Sequence, residues 1–172
     1  VELVESIEKR VSVRSFSEED VPEEVIMEAL RLGQLAPSAG NLQARDFIVI
    51  RDKDTKKKLA KAAFGQEFLD EAPVVIVVCA NLVRIRNYGI RGTELYCLQD
   101  SAAAVEHILL FAVSKGYGSC WVGAFDEREV TKILSLPECA RPVALLPIGR
   151  PKEAWRRTPR LQLDTVTHKE KW

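Results

Sequence analysis

The run Pro73-Val74-Val75-Ile76-Val77-Val78-Cys79 decides the fold class of this chain. It carries no charge, and the residues between the proline and the cysteine are all β-branched. Strict alternation would mark a strand with one wet face; an unbroken run marks a central strand covered on both faces. Such a strand needs packing layers above and below, and the flanking sequence supplies them. Upstream, Val25, Ile26, Ala29 and Leu30 recur at helical spacing after Pro22, a residue suited to a first helical turn. That helix should stop by Ala36-Pro37, because the residue before a proline is pushed out of helical geometry. Leu3, Val4 and Ile7 fit one face of a short opening helix. Phe47-Ile48-Val49-Ile50 reads as a second buried strand, and residues 56–63 as a polar-faced helix opened by Asp54 or Thr55.

Downstream, residues 81–93 are rich in Arg, Asn and Gly without a clear period, and read as a loop or short excursion. Residues 94–115 give the clearest helix. Leu95, Leu98, Ala102, Val105, Leu109 and Ala112 recur at three- and four-residue steps, and neighbours such as Ala104 and Ile108 widen the stripe almost all round. A helix of that kind belongs in a core or an interface. It ends at Gly116. Residues 119–123 read as a short strand entering a loop, and residues 143–148 as the last strand. Between them, Asp126 and Glu129 have the spacing of a capping box for a helix running through Leu134. Helices alternating with strands around one small sheet predict a three-layer α/β/α sandwich.

The 172 residues suffice for one domain, taken here as residues 1–172. Lys plus Arg and Asp plus Glu balance at 25 each, which removes the electrostatic case for nucleic acid or an acidic membrane surface. Cys79, Cys97, Cys120 and Cys139 form no C-x-x-C pair, and two histidines give no metal-ligand cluster, so no metal is expected. They read as reduced core cysteines. Residues 1–14 contain no secretory signal, and the longest apolar stretches, 72–80 and 108–113, are too short to cross a bilayer. A cytoplasmic location follows as the expectation. Residues 151–172 are basic and interrupted by proline, with little to bury alone; a partner subunit is the obvious support for them.

Four clusters could carry chemistry. In Arg10-Val11-Ser12-Val13-Arg14, an extended backbone puts residues 10, 12 and 14 on one side, where two guanidinium forks and a hydroxyl suit a phosphate monoester. The same composition also fits a solvated basic loop. Pro37-Ser38-Ala39-Gly40-Asn41-Leu42-Gln43 allows close backbone approach and mixes donors with acceptors, which suits a planar hydrogen-bonding ring or an ordinary turn. Gly116-Tyr117-Gly118-Ser119-Cys120-Trp121-Val122-Gly123-Ala124 fails as a dinucleotide fingerprint: Trp121 stands where the third glycine belongs, and a helix precedes it. Last comes the basic tail, with Arg150, Lys152, Arg156, Arg157 and Arg160. Asp100, Glu106 and His107, on the apolar central helix, read as paired or capping groups rather than catalytic ones.

In this order the clusters resemble the nitroreductase family of FMN enzymes. The matching stretches are Arg10-Val11-Ser12-Val13-Arg14-Ser15-Phe16, Ala36-Pro37-Ser38-Ala39-Gly40-Asn41-Leu42-Gln43, Glu71-Ala72-Pro73 before the valine-rich strand, and residues 116–123 after the alanine-rich helix. The resemblance implies an α+β, three-layer α/β/α fold with a small mixed, largely antiparallel sheet flanked by helices. It implies bound FMN at the interface of a homodimer. Arg10, Val11, Ser12 and Arg14 would hold the phosphate and ribityl chain, with Arg160, and less clearly Arg150, returning to the phosphate. Pro37, Ser38, Ala39, Asn41 and Gln43 would reach over the flavin from the partner subunit. Trp121, Val122, Gly123 and Ala124 would run beside the ring, the Gly123 N–H directed at N5. The implied reaction is ping-pong hydride transfer from NADH or NADPH, through the flavin, to a small-molecule acceptor: a nitroaromatic, a quinone or a flavin. Flavin fragmentation, dehalogenation and heterocycle oxidation on the same fold remain open, as does a non-catalytic FMN-binding module. Two departures stand out. Arg45 occupies a position where many relatives carry Trp or Phe, and Ala44 replaces a common Pro.

Overall fold

The computed structural model describes residues 2–172. Its sheet contains β1 (Arg45–Ile50), β2 (Val74–Asn81), β3 (Gly118–Ser119) and β4 (Ala140–Gly149), in spatial order β1-β2-β4-β3. All three strand pairs are antiparallel, and a parallel bridge from Ser12 to Ser119 makes the sheet mixed. The helices are α1 (Leu3–Lys9), α2 (Glu23–Gln34), α3 (Lys53–Ala62), α4 (Phe68–Glu71), α5 (Gly89–Arg91), α6 (Cys97–Ser114) and α7 (Glu127–Leu134).

The β-branched run works as its pattern demands. Strand side chains alternate between faces. Val74, Ile76 and Val78 pack with Ile26 and Ala29 of α2 and with Val105, Ile108 and Leu109 of α6. Val75, Val77 and Cys79 pack on the opposite face with Leu59 and Ala60 of α3, Leu69 of α4 and Val130 of α7. Residues 74–78 are fully buried. With roughly 1.5–3 kcal/mol for each large aliphatic side chain removed from water, this strand anchors both cores.

Several local expectations are corrected. The cap of α3 is Asp52, not Asp54 or Thr55; its carboxylate accepts from the Thr55 amide at 2.8 Å and from the Thr55 hydroxyl. Residues 81–93, expected as a loop or short excursion, hold turns and short helical elements. After β2 the chain makes a 3-10 turn (Arg86–Tyr88), enters α5, and runs through a π-helical turn (Gly92–Tyr96) into α6. A π turn breaks the 3.6-residue period, which hides the element from a periodicity search. Gly92 permits it, since a Cβ there would lie 2.5 Å from the Ile85 carbonyl oxygen. Only half of the expected capping box forms. Asp126 accepts from the Arg128 and Glu129 amides, but its own N–H is taken by Ala62 O at 2.8 Å, leaving nothing for Glu129 to close. Finally, the apolar face of α1 points outward: Leu3 and Val4 are 66% exposed and Ile7 48%, whereas Ser6 is buried.

Candidate functional site

The segment after α1 is threaded between β3 and the start of the tail. The Val13 amide donates to Ser119 O at 2.9 Å, Ser17 N to Arg150 O at 2.8 Å and Lys152 N to Ser15 O at 3.2 Å. Val13 and Phe16 are buried with Ala72, and Val11, Phe68 and Trp155 pack around them. The anchored segment presents Arg10, Val11, Ser12 and Arg14 to a cleft of about 320 Å³. The opposite wall is Trp155, Arg156, Arg157, Thr158 and Arg160.

This cleft gathers five guanidinium groups, and among the described residues none of the five has a carboxylate partner. Arg157 donates to Ile7 O at 2.6 Å and Arg160 to Thr158 O at 2.9 Å, bonds that leave the charges in place. Uncompensated cations this close repel one another and raise the affinity for a multivalent anion. Arg150 does not join them. It pairs with Glu19 at 3.3 Å, donates to Gly116 O at 3.2 Å and lies 4.5 Å from the Tyr117 ring centroid.

Residues 121–124 follow closely after Ser119, which bridges Ser12 on the cleft segment. Val122 and Leu145 exchange both backbone hydrogen bonds, at 3.0 and 2.9 Å, and Gln66 Nε2 donates to Ala124 O at 3.0 Å. Held at both ends, the segment leaves Trp121 41% exposed. Space at Gly123 is open, because an added Cβ would meet only Trp121 Nε1, at 3.8 Å. The Gly123 N–H has no hydrogen-bond partner among the described residues. Burial pushes the Cys120 thiol pKa up, against the opposing pull of Arg14, a Ser12 hydrogen bond and Arg10. The thiol therefore stays protonated near neutrality and is a packing group, not a nucleophile.

The loop at residues 37–43 is built separately. Gly40, Asn41 and Gln43 all have positive φ, +56°, +53° and +51°. For the last two this is backbone strain that neighbours must hold in place. Asp100, 3% exposed on α6, accepts from the amides of Ala39 at 2.8 Å and Ala44 at 3.3 Å. Ser38 Oγ accepts from Gln43 N at 3.0 Å. Arg45, only 1% exposed, donates to the carbonyls of Gln34 (2.9 Å), Ala36 (2.6 Å), Pro37 (3.1 Å) and Asp100 (3.0 Å). It thus caps the C-terminal carbonyls of α2 and fastens the loop. Burial lowers its pKa and Asp100 opposes that shift. Pro37, Ser38, Ala39, Asn41 and Gln43 make no hydrogen bond, among the described residues, to residues 10–14 or 121–124.

The structure thus gathers Arg10, Val11, Ser12, Arg14 and Arg160 in one cleft, sets residues 121–124 just after the strand that bridges it, and leaves residues 37–43 and Arg150 elsewhere. Sequence reading offers Arg156 and Arg157 only as members of the basic tail, and does not single out Trp155 or Thr158. The adjacent arginines were visible, but nothing local says that the tail folds back onto residue 10. Asp100, read from sequence as a paired or capping carboxylate, accepts from the Ala39 and Ala44 amides.

The sequence model of the nitroreductase family matches residues 7–67 and 63–150. The chain belongs to the nitroreductase family. Among family members, a protein of Archaeoglobus fulgidus provisionally named NADH dehydrogenase/NAD(P)H nitroreductase is 36% identical over 179 residues, with 99% of each chain covered. The FMN reductase of Bacillus subtilis is 30% identical over 183 residues, which span 98% of this chain and 74% of the relative. The solved structure of B. megaterium NfrA2 superposes with a TM-score of 0.93 at 28% identity, over 99% of this chain and 74% of that one. The expected nitroreductase-like α+β fold is the fold observed. Among the described residues no helix is long and apolar enough to cross a membrane, and no group of three His, Cys, Asp or Glu side chains could hold a metal.

Proposed function

We propose that this chain is an FMN-dependent NAD(P)H oxidoreductase that works as a homodimer, with residues 1–172 forming one flavin-binding domain. The observation that carries the reading is the cleft of five arginines without a carboxylate partner among the described residues, with an open glycine-containing segment following the strand that bridges it. The residues present fit the group: arginine forks match a phosphate dianion, and an open Gly123 backbone suits the approach of a flat ring. When bound, FMN supplies the redox chemistry, accepting hydride from NADH or NADPH and passing it, in a ping-pong cycle, to a nitroaromatic, quinone or flavin.

The protein's own part is positioning and electrostatics. Arg10, Ser12, Arg14 and Arg160 hold the phosphate end, with Val11 against the ribityl chain. Arg150, committed to Glu19 and Gly116, contributes to that region only through its field. Trp121, Val122 and Ala124 would flank the ring, and the Gly123 N–H, without a hydrogen-bond partner among the described residues, would be the donor toward N5. Pro37, Ser38, Ala39, Asn41 and Gln43 act from the partner subunit, prearranged by Asp100 and Arg45. The outward Leu3, Val4 and Ile7 stripe and the exposed Leu161, Leu163 and Val166 of the tail are the apolar surfaces for that dimer. Four unpaired cysteines fit a reducing, cytoplasmic setting.

The test is direct. Purified protein should be yellow, release FMN on denaturation, and consume NADH or NADPH steadily when a quinone is supplied. Colourless protein that cannot be reconstituted with FMN refutes the reading. Bound FMN that neither nicotinamide donor reduces makes the chain a binding module instead of an enzyme.

A further inference from the structure

We propose that the phosphate of the flavin latches the C-terminal tail onto the body of the protein, so that cofactor loading and tail docking are one event. The inference rests on the FMN reading above and adds a regulatory consequence to the same site.

The argument begins with charge. Arg10 and Arg14 belong to the body of the protein, tied to β3 by the Val13–Ser119 hydrogen bond. Arg156, Arg157 and Arg160 belong to the tail. The two groups face each other across a cleft of about 320 Å³, without an intervening carboxylate among the described residues. A cleft lined this way is unfavourable when empty, because like charges on opposite walls push the walls apart. A dianion between them reverses the sign of that interaction.

Within one subunit the tail has little else to hold it. From residue 156 to the end every residue is exposed. The Arg157 bond to Ile7 O is the hydrogen bond that returns residues 156–172 to the rest of the described chain. Trp155 packs by its ring on the small cluster of Val13, Phe16 and Ala72, yet its indole N–H is buried without an acceptor. A buried unpaired donor favours undocking. Within one subunit, like-charge repulsion and one unsatisfied donor therefore oppose tail docking, with a few apolar contacts in its favour. Ligand binding that stabilises only the docked state shifts this balance by its differential affinity. A phosphate does so; a flavin ring without one does not. Because the exposed apolar residues of the tail are the surfaces assigned above to the partner subunit, the latch also links cofactor loading to dimer stability.

The experiment compares tryptic cleavage after Arg157 and Arg160 in flavin-free protein, and with FMN, riboflavin or inorganic phosphate added. Flavin binding is read independently by ultrafiltration. FMN is expected to slow cleavage at both sites about tenfold or more, inorganic phosphate at millimolar level to slow it partly, and riboflavin to leave it unchanged. Flavin-free Arg156→Gln, which removes one repelling charge and no hydrogen bond, is expected to be cleaved after Arg160 more slowly than the parent. Equal protection by FMN and riboflavin, or no protection while FMN is bound, overturns the latch and leaves the FMN reading standing. Faster or unchanged cleavage of flavin-free Arg156→Gln overturns the repulsion argument, and the latch with it. Absence of FMN binding overturns both.

Discussion

Arg45 is buried, and it fastens the loop after α2 through its guanidinium. Replacing it with Met keeps most of the stem volume and removes the guanidinium. Four carbonyl oxygens then lose this donor: that of Gln34 at the end of α2, those of Ala36 and Pro37 just after it, and that of Asp100 on α6. The Asp100 carboxylate keeps its two amide donors but loses the nearby positive charge. A charged hydrogen bond contributes about 1.5–3 kcal/mol, and an orphaned buried acceptor costs a further 1–3 kcal/mol, though such terms do not add. Losing the charged hydrogen bonds while leaving buried carbonyls without this donor sets the expected loss for Arg45→Met at about 3–5 kcal/mol. Against a total stability of about 5–15 kcal/mol it is a large fraction. Lys should not rescue, because one ammonium cannot reach carbonyls arranged around a planar fork. The assay is urea unfolding of flavin-free protein at fixed chain concentration, since ligand and self-association both shift the midpoint. The double variant Arg45→Met with Asp100→Asn should recover part of the loss by removing the unmatched charge. A loss below about 1 kcal/mol for Arg45→Met would show that these carbonyls are satisfied some other way, and would refute the account of the loop scaffold.

Three further outcomes follow from named residues. Arg14→Ala should weaken FMN binding roughly 10-fold or more while leaving riboflavin affinity unchanged; equal losses for both flavins would remove Arg14 from the phosphate site. Burial pushes the Cys79 thiol up to about 12 from an ordinary 9.0. A group whose folded pKa is raised contributes stability that is complete below its unfolded pKa and is lost as pH rises toward the folded one. At about 1.4 kcal/mol per pH unit, the protein should lose about 2–3 kcal/mol between pH 9 and 11 through this thiol. Cys79→Ala should flatten that part of the profile, as measured by urea midpoints across the range, and an unchanged slope would contradict the assignment. Ile7→Glu, on the outward stripe of α1, should weaken self-association at least about 10-fold by sedimentation, and a fully dimeric variant would exclude this face.

The sequence by itself determined the layers. The unbroken Val74–Val78 run could be satisfied only by cover on both faces, and the periodic positions of α2 and α6 supplied one of the covers. It also marked the arginines and the turn residues, because those signals are local and chemical. Tertiary structure alone decided where the tail goes, since residues 156–160 meet residues 10–14 across more than 140 positions and no local pattern encodes that distance. It alone decided that Arg45 is a buried staple, because a lone arginine after a strand start looks like any surface charge until the α2 carbonyls are seen around it. It also turned the α1 stripe outward, since spacing identifies a helix face and only packing says what that face meets. Local pattern records which groups are available; the closing of long loops decides which of them meet, and here the meeting of two distant arginine groups makes the site.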